Sequence, residues 1–579
     1  MLKKTRGSRE EDAWLSDSQL ARCARADEAR IFQSPIPTRI VSNGEYMPPP
    51  QSEKQKRVEA RIQQLADSAG KRLGITRRQF LLGSGGMAAA FLALNETFGR
   101  FFEVNPAELF SSEAFAAAGA PPNLFVMDDQ LHMVRSSMAG PQVLRAWAQG
   151  PTSGFGSNPF NPGGDPDELG SPWTPWNPDL VGVPIDPENF HVIRFIKDVF
   201  LDSQLSVGVL SNNTAFIPDF NPGLPIPKSV GEAQENEILT ALQTVAVRNF
   251  VNRIAGSTRL LAHGLLYPGI GNLEFMQFQI DEYKPDSWKG YTISPAAKVD
   301  LDRESEMRAW RLDDEAVAYP TYELISRHQK RLGALRPGFG NICIHKGLMP
   351  IPPDTPERGN PDDIPKAARD WPNLNFIIYH SALRPLYLSD TLQDILGSVL
   401  RNGVPDIQWT TQFAQLAEDL PNVYAEIGTT FASSVITFPT VAAHVLGQLM
   451  KYLGPHRIVF GTDSVYYGSP QWQIEAFWRF EIPESIRRQY GYPPLTKDDK
   501  RRILGLNSAR LYRLPSASER SPHGVYRPVP ADYAALIPNE LKTVLNFPDF
   551  AADNLSKMKA GYLATGSTPS LARFGWIRT

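Results

Sequence analysis

Short apolar runs recur between residues 124 and 462, at 124–127, 206–210, 259–266, 287–293, 341–345, 375–380, 423–426 and 458–462. Each has the length and the β-branched or aromatic content of a strand buried on both faces. Between and after them, apolar residues recur at helical spacing over 190–201, 231–254, 273–283, 319–332, 411–420, 440–453 and 497–512. Strands alternating with helices predict βαβ units and a parallel sheet, and eight strands is the number that closes an α/β (β/α)8 TIM barrel. The expected organisation is a barrel over 121–514 with loop insertions, an N-terminal extension over 1–120 and a C-terminal extension over 515–579.

Three of the runs end on a polar residue suited to chemistry: Asn341-Ile-Cys-Ile-His345, Asn375-Phe-Ile-Ile-Tyr-His380 and Arg457-Ile-Val-Phe-Gly-Thr-Asp463. The carboxyl ends of parallel barrel strands share one face, so these residues converge in space although they are distant in sequence. Upstream, in Asn123-Leu-Phe-Val-Met-Asp-Asp-Gln-Leu-His132, the period-two alternation of a strand puts Asp128, Gln130 and His132 on one side. One such histidine alone reads as a hydrogen-bonded structural residue; four strand ends carrying three histidines and an aspartate read as a metal or active site. Nitrogen and oxygen donors in this combination suit a divalent transition metal, zinc first, with manganese or iron as alternatives.

At these residues the chain resembles the metal-dependent amidohydrolases, in the branch that includes aminocarboxymuconate-semialdehyde decarboxylase. The resemblance covers about 123–512, including a closing helix with Arg502-Ile-Leu-Gly-Leu-Asn507. It implies metal ligation by His132, His345, His380 and Asp463. It further implies that Asp463 takes a proton from water and returns it to a leaving group, with His380 beside the water or substrate. Gln130 stands where the branch carries the first histidine of a His-x-His pair, and a carboxamide oxygen is a weaker ligand than imidazole. Asp128 is a conceivable substitute. The implied function is metal-dependent hydrolysis of an amide, ester or lactone of a small molecule. The alternatives are nonoxidative decarboxylation of an aromatic or unsaturated acid and an exported binding protein with a decayed site. Lys346, after His345, and Glu426, ending the seventh run, are the candidate substrate contacts, since a cation at the mouth can hold a carboxylate. Lys289 and Arg384 carry a weaker version of the same signal, and His263 is expected to pack inside the barrel.

The segment 1–74 is polar, lacks a sustained hydrophobic period and is expected outside the core. It leads into Thr76-Arg77-Arg78-Gln79-Phe80-Leu81 and an apolar run over 82–94 that is too short and too rich in Gly and Ala for a membrane span. Basic pair, Phe-Leu step, weakly apolar stretch and small residues at 114–120 resemble a twin-arginine export signal. The implied partner is the twin-arginine machinery, and the implied location is periplasmic or extracytoplasmic, with cleavage after Ala118 or retention as an anchor. Residues 1–79 hold 16 Lys/Arg and 10 Asp/Glu, leaving 43 and 52 for the remainder. A body of that sign offers nucleic acid no general attraction. Of two cysteines, Cys23 precedes the signal and Cys343 lies in a strand, so no internal disulfide is expected and Cys343 reads as a packed thiol. The insertion 139–189, with Trp173 and Trp176, and a second Pro-rich one at 349–365 are placed to cover the barrel mouth. The tail is expected to wrap the barrel or to serve a homo-oligomer interface.

Overall fold

The computed structural model describes residues 34–38, 51–133, 192–212, 237, 239–292, 297–298, 307–308, 310–333, 335–348, 358–384 and 396–514. The insertion carrying Trp173 and Trp176, most of the second insertion and the tail beyond Leu514 lie outside the described residues.

Eight parallel strands form one sheet in chain order: β1 (Met127–Leu131), β2 (Val207–Leu210), β3 (Leu260–Leu265), β4 (Ser287–Tyr291), β5 (Asn341–His345), β6 (Asn375–Tyr379), β7 (Val423–Glu426) and β8 (Ile458–Val459). The sheet closes on itself. Asp129 N–H donates to Phe460 O at 2.9 Å, Asp463 N–H donates to Gln130 O at 3.0 Å, and Leu131 bridges Ser464 in parallel. The expected TIM barrel is therefore present. All eight predicted runs coincide with strands, although β1 lies mainly beyond its predicted span of 124–127.

Apolar side chains divide as a barrel requires. Val207, Val209, Leu261, Cys343, Ile377 and Val459 fill its interior. Alternate positions such as Leu210, Leu260, Ile342, Ile344, Phe376 and Ile378 face outward into a larger core shared with the helices. The seven predicted helices are all found, among them Ala241–Ala255, Tyr319–Leu332 and Pro439–Tyr452. The final one runs as three consecutive turns of differing pitch from Lys497 to Leu511 and plugs the end of the barrel where strands begin. There Asn507 Nδ2 donates to Ile458 O at 2.7 Å and Ser508 Oγ donates to Asp129 Oδ2 at 2.7 Å.

The N-terminal region departs from expectation. Residues Glu53–Leu73 form a 21-residue helix, α1, opened by a Ser52/Gln55 capping box and ended by Gly74 at φ 69°. Its stripe of Val58, Ile62, Ala66 and Ala69 is buried within the same core as the barrel. The expectation that this segment stays outside the core is thus corrected: the stripe is narrow, half alanine, and set among charges, so its periodicity is faint in sequence. Arg77–Leu81 is a short helix, α2, and the apolar run becomes α3 (Ser84–Phe98), with Ala88, Ala89, Ala90, Phe91 and Ala93 fully buried. The glycines of this run serve close packing: a Cβ on Gly86 would lie 2.4 Å from Leu81 O. None of the described helices is long and apolar enough to cross a membrane.

What fastens this layer to the barrel is Arg479, at the end of the helix Gln471–Arg479 that follows β8. It donates to Glu108 Oε2 (2.8 Å), Glu475 Oε1 (2.5 Å) and the carbonyls of Glu103 and Phe115 (both 3.0 Å), with its guanidinium 4.4 Å from the Phe115 ring centre. Glu475 Oε2 also accepts from Ala120 N–H at 3.1 Å.

Candidate functional site

Parallel strands deliver their carboxyl ends to one face, and the structure brings Gln130, His132, His345, His380 and Asp463 together there, each fully buried or nearly so. Gln130 and His132 come from the end of β1, two residues apart and so on one side of the chain. His345 is the last residue of β5, His380 follows β6, and Asp463 lies in the loop after β8. The turns that carry them are sharp. His380, Thr429 and Asp463 have φ of 60°, 52° and 60°, a left-handed conformation rare for residues with a Cβ and frequent at functional sites.

The polar atoms form one cluster. His132 Nε2 lies 3.0 Å from Asp463 Oδ1, and His380 Nε2 lies 3.2 Å from His345 Nδ1. The amide nitrogen of Gln130 stands among them, 3.3 Å from His132 Nε2, 3.4 Å from His380 Nε2 and 3.2 Å from Asp463 Oδ1. Thr429 Oγ1 donates to the other oxygen of Asp463.

These contacts fix the protons. His380 Nδ1 faces the Gly428 carbonyl at 2.7 Å, and a carbonyl can only accept, so Nδ1 carries the hydrogen and Nε2 presents a lone pair to the cluster. Asp463 likewise accepts from His132 Nε2–H. The two hydrogens of the Gln130 amide then have two acceptors within reach, Asp463 Oδ1 and His380 Nε2. Burial brings His380 down to about 4, against the opposing pull of Asp463, so the ring is neutral near pH 7. Burial also pushes His345 well below the usual histidine range, helped by the neighbouring His380 and by Lys289. For Asp463 burial acts upward but is outweighed by the hydrogen bond and charge of His132, then by His380 and Thr429, which hold the carboxyl below its ordinary value.

Several predicted residues fall elsewhere. Lys346 is not a substrate contact: its buried ammonium is saturated by Asp363 Oδ2 (3.0 Å) and the carbonyls of Arg358 (3.1 Å) and Asn360 (3.0 Å), and it anchors the start of the second insertion's return. Glu426 is scaffold too. Its carboxylate accepts from His380 N–H at 3.0 Å and from Gly428 N–H, tying the two loops together. Gly428 and Gly461 leave the room it needs, since a Cβ on either would lie 2.4 or 2.0 Å from Glu426 Oε1. Asp128 is no substitute ligand, because it accepts from Thr462 Oγ1 and from Thr462 and Gln130 N–H (both 3.0 Å). His263 packs inside the barrel, as expected, between Tyr379 OH (2.8 Å) and Ser287 Oγ (2.7 Å). Cys343 is a buried thiol, as expected.

The sequence pattern missed Thr429, a threonine three residues past a strand with no motif around it. It also underweighted Lys289 of β4. That ammonium is fully buried, 3.7 Å from the ring centre of Tyr379 and 4.8 Å from that of Tyr291, and the Tyr291 ring stacks on His345 at 4.5 Å. Its signal was a lysine at an inward position of a strand, where the only other polar inward neighbour in sequence is Ser287.

A divalent ion can be tested against this geometry. Donor atoms 2.0–2.2 Å from a common ion lie roughly 3–3.5 Å apart, and the cluster's nitrogen and oxygen atoms are spaced 3.0–3.4 Å. Two neutral imidazoles and an ionised carboxylate are suitable in kind. Yet among the described residues no three His, Cys, Asp or Glu side chains form a ready-made coordination shell, and the Gln130 amide nitrogen lies against three of the four candidate ligands. The donors suit a divalent ion in kind, and as the side chains stand they do not form its coordination shell.

Residues 302–514 match the family model Amidohydro_2, amidohydrolase. The match takes in less than half of the chain and includes His345, His380 and Asp463 but not Gln130 or His132. No curated protein matches the sequence. Similar solved structures include an uncharacterized TIM-barrel protein from Bordetella bronchiseptica, at 13% identity, 67% of this chain, 98% of that one and a TM-score of 0.37. A 5-carboxyvanillate decarboxylase from Novosphingobium aromaticivorans, complexed with manganese and a nitrobenzoic acid, has 11% identity, 68% and 98% coverage and a TM-score of 0.38. An amidohydrolase from Burkholderia multivorans with bound zinc has 13% identity, 68% and 100% coverage and a TM-score of 0.27. At such scores the barrel rests on its own strand order.

Proposed function

We propose that the chain is an enzyme of amidohydrolase type that attacks the carbonyl carbon of an amide, ester or lactone in a small organic substrate. The observation that carries this reading is the convergence of His132, His345, His380 and Asp463 from four strand ends into one buried cluster with a neutral imidazole lone pair at its centre. Such a lone pair is what a general base needs near pH 7. His380 Nε2 accepts a proton from the attacking water. Its Nδ1–H stays on the Gly428 carbonyl, which holds the ring in orientation through the transfer. Asp463, ionised and fixed by Thr429, orients the water, and His380 Nε2–H then gives the proton it has taken to the leaving group. A divalent ion held by His132, His345 and Asp463 would supply Lewis acidity to the substrate oxygen and make water a stronger acid, leaving the His380 Nε2 lone pair for the proton.

Nonoxidative decarboxylation is the second reading, and Lys289 favours it. A buried ammonium between two aromatic rings beside His345 is a counter-charge for a carboxylate and a floor for a planar ring.

The test is turnover of panels of esters, lactones and aromatic acids by the protein supplied with zinc or manganese, with products resolved as hydrolysed acid or released carbon dioxide. Activity abolished in Asp463→Ala and His380→Ala, with the fold intact by circular dichroism, supports the enzyme reading. Absence of turnover in every class would leave a binding protein.

A further inference from the structure

The N-terminal layer is buried along one side and carries a different kind of surface at one end. Arg61, twelve residues before Leu73, pairs with Glu96, twelve residues after Ser84, at 2.6 Å. Hence α1 and α3 run antiparallel, and the end of the first lies beside the start of the second. Phe110 joins this end. The guanidinium of Arg72 stands 4.4 Å from its ring centre, and a Cβ on Gly85 would lie 2.9 Å from the carbonyl of its neighbour Leu109. Four large apolar side chains are exposed here: Leu73 (42%), Ile75 (39%), Leu82 (42%) and Phe110 (39%). The described residues expose nine such side chains, and the other five are spread over residues 270–400, so the concentration belongs to this end of the layer.

Each of the four sits where the chain turns. Leu73 ends α1, and Ile75 follows Gly74, where a Cβ would meet nothing within 4 Å, so this turn stands out into open space. Leu82 closes α2, and Phe110 closes the short 3-10 helix Pro106–Leu109. Around them lie exposed Lys71, Arg72 and Arg78, and partly exposed Arg77, which pairs with Asp67 at 3.6 Å. The stretch 71–78 holds four cations and no carboxylate, and Glu113, beyond Phe110, accepts from Ser111 Oγ at 2.9 Å. Protruding apolar tips ringed by cations suit a fluid apolar layer beneath anionic headgroups, which asks for no shape complementarity. A protein partner asks for a continuous, well-packed area. The apolar run of α3 is itself committed to the core and is not available to lipid.

We infer that this end of the layer docks the folded protein on an anionic membrane surface. Leu73, Ile75, Leu82 and Phe110 enter the headgroup boundary, and Lys71, Arg72 and Arg78 meet the lipid phosphates. The attachment is peripheral and reversible, because four apolar tips bury little area and none of the described helices can span a bilayer. Each exposed cation held at such a surface strengthens binding by about fivefold. That attraction fades within a Debye length, about 10 Å at 0.1 M salt. Binding therefore depends jointly on anionic lipid, low salt and the apolar tips.

The experiment floats the full chain with vesicles of phosphatidylglycerol and phosphatidylcholine in equal parts, and with vesicles of phosphatidylcholine alone. It compares the wild type with Leu73→Ser/Leu82→Ser and with Lys71→Gln/Arg72→Gln/Arg78→Gln. The wild type should bind the anionic vesicles at least about tenfold better than the neutral ones and lose most of that binding at about 0.5 M salt. Each variant should bind the anionic vesicles at least about tenfold more weakly at an unchanged melting temperature, since all five substituted side chains are exposed. The inference is overturned if the wild type ignores anionic vesicles, if it binds both lipids equally, or if the variants bind as the wild type does. Binding to native membranes that protease treatment abolishes, with none to lipid vesicles, would assign the face to a protein receptor and overturn it equally. Should a variant melt lower, Arg78→Glu takes its place against the same threshold, and the salt and lipid comparisons on the unchanged protein decide regardless. No readout involves turnover, so the fate of the proposed activity leaves this result standing.

Discussion

Removing the guanidinium of Arg479 should detach the N-terminal layer from the barrel. In Arg479→Met two carboxylates, Glu108 and Glu475, remain with side-chain exposures of 2% and 5% and lose their cation. Breaking a buried ion pair from one side costs about 3–5 kcal/mol, because a charge is left without compensation. Two further donor bonds, to the carbonyls of Glu103 and Phe115, also go, at about 1 kcal/mol each. Methionine keeps most of the apolar stem, so packing against Phe91 and Phe115 contributes little to the change. We expect a loss of about 5–7 kcal/mol in urea denaturation, with residues 103–120 becoming the first site of proteolysis. Replacing both carboxylates as well, in Arg479→Met with Glu108→Gln and Glu475→Gln, keeps their acceptor oxygens and removes the unpaired charge. That triple variant should regain at least about half of the loss. A cost below about 1 kcal/mol for the single variant, or a triple variant no better than the single, would refute the reasoning.

Two other predictions concern separate parts of the molecule. Lys500 is buried, donates to Trp478 O at 2.8 Å, and is lowered to about 7 from an ordinary 10.5 by burial first and by Lys497 second. The unfolded chain keeps this proton up to about pH 10.5 while the folded chain gives it up above about 7, so the unfolded state binds more protons in that window and stability rises with pH across it. Denaturation at pH 7 and pH 10 should show the rise, at most about 1.4 kcal/mol per pH unit from this group, and Lys500→Met should flatten it; an unchanged slope would remove Lys500 from the explanation. Separately, export is proposed from the Arg77-Arg78 pair, and Arg77→Lys with Arg78→Lys should keep the chain out of the periplasmic fraction; equal amounts there with and without the pair would make it merely the start of α2.

The strands and the site residues at their ends were legible in the sequence for a physical reason. A buried parallel strand must be apolar on both faces, so the first polar residue after it marks the mouth, as His345, His380 and Asp463 do. What was not legible depends on contacts between distant residues. Lys346 follows a strand and Lys289 lies within one, and neither context reveals its partners. Only the fold places Asp363 and two carbonyls around the first and aromatic rings around the second. Glu426 looked like a mouth carboxylate and proved to be the tie between His380 and Gly428. The layer formed by α1 and α3 escaped because alanine and glycine stripes give little hydrophobic contrast. Their burial comes from close backbone approach, which composition does not reveal.

The left-handed backbone at His380, Thr429 and Asp463 has a consequence for anyone redesigning this protein. A side chain with a Cβ is disfavoured there by about 1–2 kcal/mol per residue, and glycine is not. A sequence optimised on this backbone for stability alone would accordingly write glycine or asparagine at these positions. It would produce a firmer barrel with an empty mouth. Stability and chemistry compete here residue by residue, so a thermostabilised version has to be sought in the outer helices and the N-terminal layer, with these turns held fixed.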